Sequence, residues 1–314
     1  MDQKPLTWLL KTNNPSLKYR VLTELLDYQS DHPSVLEQKK LIPDSNPVKS
    51  IFEKMHPDGY WLQTNPRTKN IVGDGVEYGS FASTHFCLSY LSELGLTKEH
   101  ILIAKAADRY LSLQKDDGDF WLHMSCLYAY NIRTFIKLGY RDDPRLQKTI
   151  DLMLNTERQD HGYLCEMHEK KTNRKKSCIR GSAKALMAFA ELPEYWKHPR
   201  CLALVDYFLK RNGIFKSNCK DLVNRDMNTF SFPFTWGTNS WEILFALSKM
   251  GYGNHKNLHP AWQLLENKKN EDGTYNLDHT PSQSPWKVGK KGEANGWVTF
   301  YILLAKKLKH SGLD

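Results

Sequence analysis

Asp117-Gly118-Asp119-Phe120 joins an amphipathic stretch to an apolar one, and its pattern, a glycine followed two residues later by an aromatic, returns along the chain. It stands as Asp58-Gly59-Tyr60-Trp61 before it, and as Gly213-Ile214-Phe215 and Asp272-Gly273-Thr274-Tyr275 after it. His161-Gly162-Tyr163-Leu164 is a weaker copy. The copies fall about 44 to 60 residues apart, within or slightly above the range of helical repeats. After each comes a loop of variable length, then an apolar stretch: Thr84 to Leu94, Ser125 to Leu138, Ser182 to Leu192, Asn239 to Met250 and Trp297 to Leu308. A tight stop follows, as in Leu94-Gly95-Leu96 or Met250-Gly251-Tyr252, where glycine suits the left-handed residue past a helix end. A second helical stretch leads back to the next glycine: His100 to Lys115, Pro144 to Arg158, Pro199 to Arg211 and Pro260 to Lys268.

The first stretch of each pair is apolar on nearly every side, as Phe86, Leu88, Tyr90, Leu91 and Leu94 illustrate, so it is buried all round. The second is amphipathic, with a stripe such as Ile103, Ala106, Ala107, Tyr110 and Leu111. This predicts an all-α chain with inner and outer helical rings, an α/α toroid of about five to six helix pairs. Strand signals are nearly absent; Phe230 to Phe234 is aromatic enough for one, but Pro233 argues against pairing in a sheet interior. Residues 1–55 hold further helices (Pro5 to Leu10, Pro15 to Tyr28, Pro33 to Leu41, Pro47 to Met55) that complete the ring, and 56–314 carry the repeats. No Gly/Ser-rich linker divides the 314 residues, which predicts a single domain.

A net charge of +9 favours anionic partners, although the cations are spread out; the densest run is Lys170, Lys171, Arg174, Lys175 and Lys176. No nucleic-acid module is visible, which argues against nucleic acid as the partner. No apolar run approaches the ~20 residues of a membrane span. Met1-Asp2-Gln3-Lys4-Pro5 lacks an apolar leader, and the expected location is cytoplasmic. There the six cysteines read as thiols, ligands or nucleophiles rather than a disulfide framework.

Gln114-Lys115-Asp116-Asp117-Gly118-Asp119-Phe120 resembles the QW motif of squalene and oxidosqualene cyclases, and from about residue 50 the chain is similar in rhythm to the terpenoid cyclase and protein prenyltransferase superfamily. Met55, Arg158, Leu209 and Lys269 replace the glutamine in the other copies. The resemblance implies an α/α toroid with a central cavity. The acidic and zinc motifs of those enzymes do not recur, and Asp116-Asp117-Gly118-Asp119 reads as a turn cap.

Loop lengths place the site. Leu62 to Ser83, Cys165 to Gly181, Lys216 to Thr238 and Asn276 to Gly296 are long and all precede an inner helix, so they share one rim, where helix N-termini favour anions. On that rim Cys165, His168 and Cys178 suit zinc with an open fourth position; inert thiols, or a nucleophilic cysteine beside a histidine, are the other readings. His85 and His123 are candidates for proton transfer, with core packing the alternative for His85. Asp74 and Glu77 are candidate paired carboxylates or solvated loop residues. Tyr78, Arg180, Asp226, Trp236, Asn239 and Trp297 are candidate substrate contacts, and Trp241 reads as mid-helix packing.

Three functions fit this reading. The first is a cyclase- or prenyltransferase-like enzyme acting on an apolar or isoprenoid small molecule, with an anionic group met by Arg180 and zinc as a possible cofactor. The second is a carbohydrate-active toroid, a lyase or hydrolase, using residues such as Glu77, Tyr78, His85 and Asp226. The third is a non-catalytic toroid that binds a ligand or peptide.

Overall fold

The computed structural model describes residues 3–64, 69, 71–72, 83–166, 169–170, 173, 176–235, 237–281 and 283–310. Among these the chain is an all-α toroid, with strand pairing limited to short two-residue ladders such as Met55–His56 with Tyr60–Trp61. The inner ring comprises α2 (Pro15–Arg20), continued by a π-type turn (Val21–Leu25), then α5 (Thr84–Glu93), α7 (Ser125–Lys137), α9 (Ile179–Phe189), α11 (Ser240–Lys249) and α13 (Gly296–Lys309). Each inner helix packs on the next from α5 to α13, and α13 packs on α2 and its π-type turn. Outside them lie α1 (Gln3–Leu10), α3 (Pro33–Leu41), α4 (Asn46–Phe52), α6 (Ile101–Leu111), α8 (Pro144–Asn155), α10 (Pro199–Leu209) and α12 (His259–Glu266). The last outer position, beside α13, is taken by α1.

Burial follows the sequence pattern. Every residue of α5 is buried, whereas α6 buries only Ile103, Ala106, Ala107, Tyr110 and Leu111. Several helices begin with a proline in the first turn, whose missing N–H costs nothing there. A side chain caps the turn before it: Asn14 Oδ1 accepts from the Leu17 N–H at 3.1 Å and Asp143 Oδ1 from the Arg145 N–H at 2.9 Å. Helix α9 starts at Ile179, three residues before the stretch the sequence indicated, because Gly181 is accommodated inside it.

The repeat glycines Gly59, Gly118, Gly213 and Gly273 all adopt φ between +82° and +88°. In the weaker copy the left-handed residue is His161, at φ 64°. Gly118 shows why the motif is needed. Gln114 at the end of α6 donates to Arg145 O (2.6 Å) and Thr149 Oγ1 (2.7 Å) on α8, and Thr149 donates to Gly118 O (2.9 Å). Phe120 then stacks on Tyr110, ring centroids 5.2 Å apart. The motif is a clasp between consecutive outer helices.

A Cβ on Gly118 would lie 2.4 Å from Lys148 O, while one on Gly292 (φ +85°) meets nothing within 4 Å. Gly292→Ala is therefore expected to cost only the backbone term, about 1–2 kcal/mol. Gly118→Ala adds the steric displacement of α8 and is expected to cost roughly 3 kcal/mol or more. Urea unfolding of both variants checks this; equal losses would remove the close-approach argument.

Candidate functional site

Among the described residues, buried charged and aromatic side chains occupy the axis of the ring. Glu93, at the C-terminal end of α5, is fully buried and accepts from Arg20 on α2 (2.8 Å), Lys137 on α7 (3.0 Å), Arg133 on α7 and the Tyr301 hydroxyl on α13. Arg20 also binds Tyr301 Oη (2.7 Å) and Glu24 (2.5 Å). Lys249 on α11 meets Glu191, just past α9, at 2.5 Å. Deeper along the same helices Lys184 and Glu242 pair at 2.6 Å, each 3% exposed. The contacts of Glu93 and Glu191 draw together the C-terminal ends of α2, α5, α7, α9 and α11, whereas Glu242 stands in the first turn of α11.

Burial alone would push the Glu93 carboxyl up; Arg133, Lys137 and Arg20, with the Tyr301 hydrogen bond, overcome it and hold it well below the usual carboxylate range. Burial draws Lys137 down to about 8. It also pushes Glu242 up and Lys184 down, each against the attraction of the other.

On the rim side of these charges lies an aromatic layer. Phe232 stacks on Trp297 (5.3 Å between centroids, 9° between planes) and meets Trp286 edge-on at 5.3 Å. Phe234 packs on Trp241 and Tyr301, and its carbonyl accepts from the Tyr130 hydroxyl at 3.0 Å. Trp241 and Trp286 are 0% and 1% exposed and pack the core, and Trp297, 3% exposed, packs on Phe232 with one edge toward an open cleft described below. Between the two layers Ser89, Tyr130, Arg133, Lys184, Phe234 and Glu242 border a cavity of about 10 Å³, room for about one water.

The structure places the other candidates as follows. Asp74, Glu77, Tyr78, Trp236 and His168 lie outside the described residues. His85 is buried, with Nδ1 3.3 Å from Ser83 Oγ and its ring against Phe86; burial draws its pKa down to about 3. It is a neutral core histidine. Asn239 is fully buried and spends its side chain on a reciprocal cap with Glu242 and on Ser231, so it meets no solvent.

At the rim, His123 Nε2 lies 3.2 Å from Asp117 Oδ2, both side chains nearly half exposed. His123 has φ 45°, and Asp119 Oδ2 fixes that turn by accepting from the His123 N–H at 2.9 Å. Its carbonyl accepts from the Glu166 N–H (3.1 Å), which carries the chain to Cys165. Arg180, in the first turn of α9, pairs with Asp226 at 3.0 Å, both partly exposed. Cys178 precedes α9 and is half-buried, while the Cys165 sulfur packs on Cys126 at 3.3 Å. Among the described residues no three of His, Cys, Asp or Glu converge on one metal position.

A second rim feature escaped the sequence reading. The turn between α1 and α2 and the segment before α13 enclose an open cleft of about 380 Å³, lined by Trp8, Lys11, Asn14, Lys290, Glu293 and Trp297 among others. Trp8 is 37% exposed there. Trp297 was a candidate from the sequence; that ring completion sets Trp8 and Lys290 beside it was not readable.

No family model matches this chain, and neither does any curated protein. Among solved structures it is similar to a polysaccharide lyase, with a TM-score of 0.50 and 12% identity over 99% of this chain and 90% of that one. A type II terpene cyclase from Scytonema aligns with a TM-score of 0.35 and 12% identity over 86% of this chain and 96% of that one. At such identity the likeness to the lyase supports the toroid fold and no more. No helix among the described residues is long and apolar enough to cross a membrane.

The axial charges set the acid response. Glu93 has a lowered folded pKa, so its stabilisation is present above the unfolded value of about 4.3 and is lost as pH falls through and below it. His85, neutral when folded down to about 3 but protonated in the unfolded chain below about 6.5, lowers stability as pH falls across that window. His85→Gln is expected to reduce the slope of stability against pH between about 6 and 5 by up to ~1.4 kcal/mol per pH unit. Glu93→Gln removes the carboxylate shared by Arg20, Arg133 and Lys137, leaving Arg20 with Glu24 and Arg133 with Glu191, and is expected to cost about 3 kcal/mol at neutral pH. Urea titrations across pH measure both effects; an unchanged slope in His85→Gln would contradict the buried neutral assignment.

Proposed function

We propose that this chain is a carbohydrate-active toroid that works at its loop rim, on an extended, hydroxylated and anionic ligand. The observation that carries the reading is the cleft beside α1 and α13: a half-exposed tryptophan among lysine, threonine, asparagine and glutamate side chains, on the rim of a ring whose axis is occupied by buried side chains. An aromatic face flanked by a few polar groups suits a pyranose ring, whose C–H face is apolar and whose edge carries hydroxyls. Lys11 and Lys290 supply charge for a uronate or sulfate group.

The acid–base chemistry would come from His123, oriented by Asp117, with Arg180 available to neutralise a carboxylate once a ligand displaces Asp226. The axial isoprenoid site is the weaker reading, because the space it requires is occupied by Phe232, Phe234, Trp286 and Trp297. Zinc at Cys165, His168 and Cys178 stays the secondary proposal for a cofactor, with the Cys126 sulfur 3.3 Å from that of Cys165.

Isothermal titration with uronic-acid oligosaccharides, neutral oligosaccharides and an isoprenyl diphosphate separates the readings. The acidic sugar is expected to bind, with Trp8→Ala weakening it about tenfold, the equivalent of ~1.4 kcal/mol, and His123→Ala abolishing any turnover while leaving binding in place. Binding of the isoprenyl diphosphate alone would overturn the rim proposal and reinstate the axis.

A further inference from the structure

Cys126 and Cys165 are 39 residues apart in sequence, yet their sulfurs lie 3.3 Å apart. Cys126 is the second residue of α7 and 8% exposed; Cys165, on the segment leading to α9, is 1% exposed. Ser125 Oγ lies 3.6 Å from Cys165 Sγ. The backbone on both sides is fixed. The Glu166 N–H donates to His123 O at 3.1 Å, and the Cys178 N–H donates to Tyr163 O at 2.7 Å. Gly181 lets α9 approach α7 closely, since a Cβ there would sit 2.8 Å from Ser125 Oγ. Bonded sulfurs stand about 2 Å apart, so closure requires little more than an ångström of movement.

We propose that Cys126 and Cys165 form a reversible intramolecular disulfide when the folded protein meets a small disulfide such as oxidised glutathione. The more accessible Cys126 thiolate attacks the donor, forming a mixed disulfide and releasing one glutathione thiolate. The Cys165 thiolate then attacks Cys126 Sγ, breaking the mixed bond and releasing the second glutathione. Two protein thiols lose two electrons, the donor gains them, and the two thiol protons pass to the departing thiolates. The new bond ties Cys165 to the first turn of α7 beside His123 and Glu166. This pairing stands independently of the ligand proposed for the rim.

Peptide mapping by mass spectrometry, on the folded full-length protein exposed to oxidised glutathione and then alkylated, tests it. The expected product is a Cys126–Cys165 cross-linked peptide pair that disappears on treatment with dithiothreitol. In Cys126→Ser, Cys165 is expected to remain a thiol, since it is sealed from solvent. Joining of Cys165 to Cys178 would overturn the assignment. So would a wild-type map with Cys126 and Cys165 alkylated separately, or a cross-link that forms only after denaturation. The wild-type map decides the matter even where the variant fails to fold.

Discussion

The carboxylate of Glu93 sets the geometry on which the rest of the ring depends. A buried carboxylate is tolerable only when several donors satisfy it. Here the donors come from α2, α7 and α13, so those helices must reach the axis at one level. Five cations (Arg20, Arg133, Lys137, Lys184, Lys249) and four carboxylates (Glu24, Glu93, Glu191, Glu242) make the interior nearly neutral. The aromatic layer is coupled to them: the Arg133 guanidinium lies 4.6 Å from the Phe234 ring centre, and Arg20 sits 4.7–4.8 Å from those of Phe300 and Tyr301. Axial charges and aromatic layer therefore pack as one structural unit.

The helical alternation was legible because each inner helix is apolar all round and each outer one has a single stripe. The breaks were legible as glycine or proline. The charged axis was legible in principle and missed: Glu93, Arg133, Lys184 and Glu242 each interrupt an otherwise apolar run, and a charge in such a helix is either paired or neutral. What no single repeat reveals is which of them meet. Glu93 and Arg133 come from neighbouring repeats, but Arg20 and Tyr301 arrive from opposite ends of the chain.

The rim was legible from loop length, and its contents only in part. His123 with Asp117 and Arg180 with Asp226 do stand at exposed positions there. His85 was open to either reading, because a residue in the first turn of an inner helix can face the rim or the packed flank, and its side chain is buried. Cys165 and Cys178 share one loop and so could be read together, whereas the neighbour Cys126 comes to Cys165 only through the packing of α7 on α9, which no local pattern reveals.

A ring of similar helices poses a specificity problem that apolar packing alone solves poorly, since neighbouring pairs bury much the same surface. Replacing the axial charges with hydrophobic residues of equal volume would leave stability near its present value by the general behaviour of buried ion pairs. It would also remove the requirement that α2, α5, α7 and α13 converge. A carboxylate that needs donors from three particular helices admits one order around the axis. That order in turn fixes which loops adjoin at the rim, where each loop is held by its own caps and is free to carry chemistry without disturbing the interior.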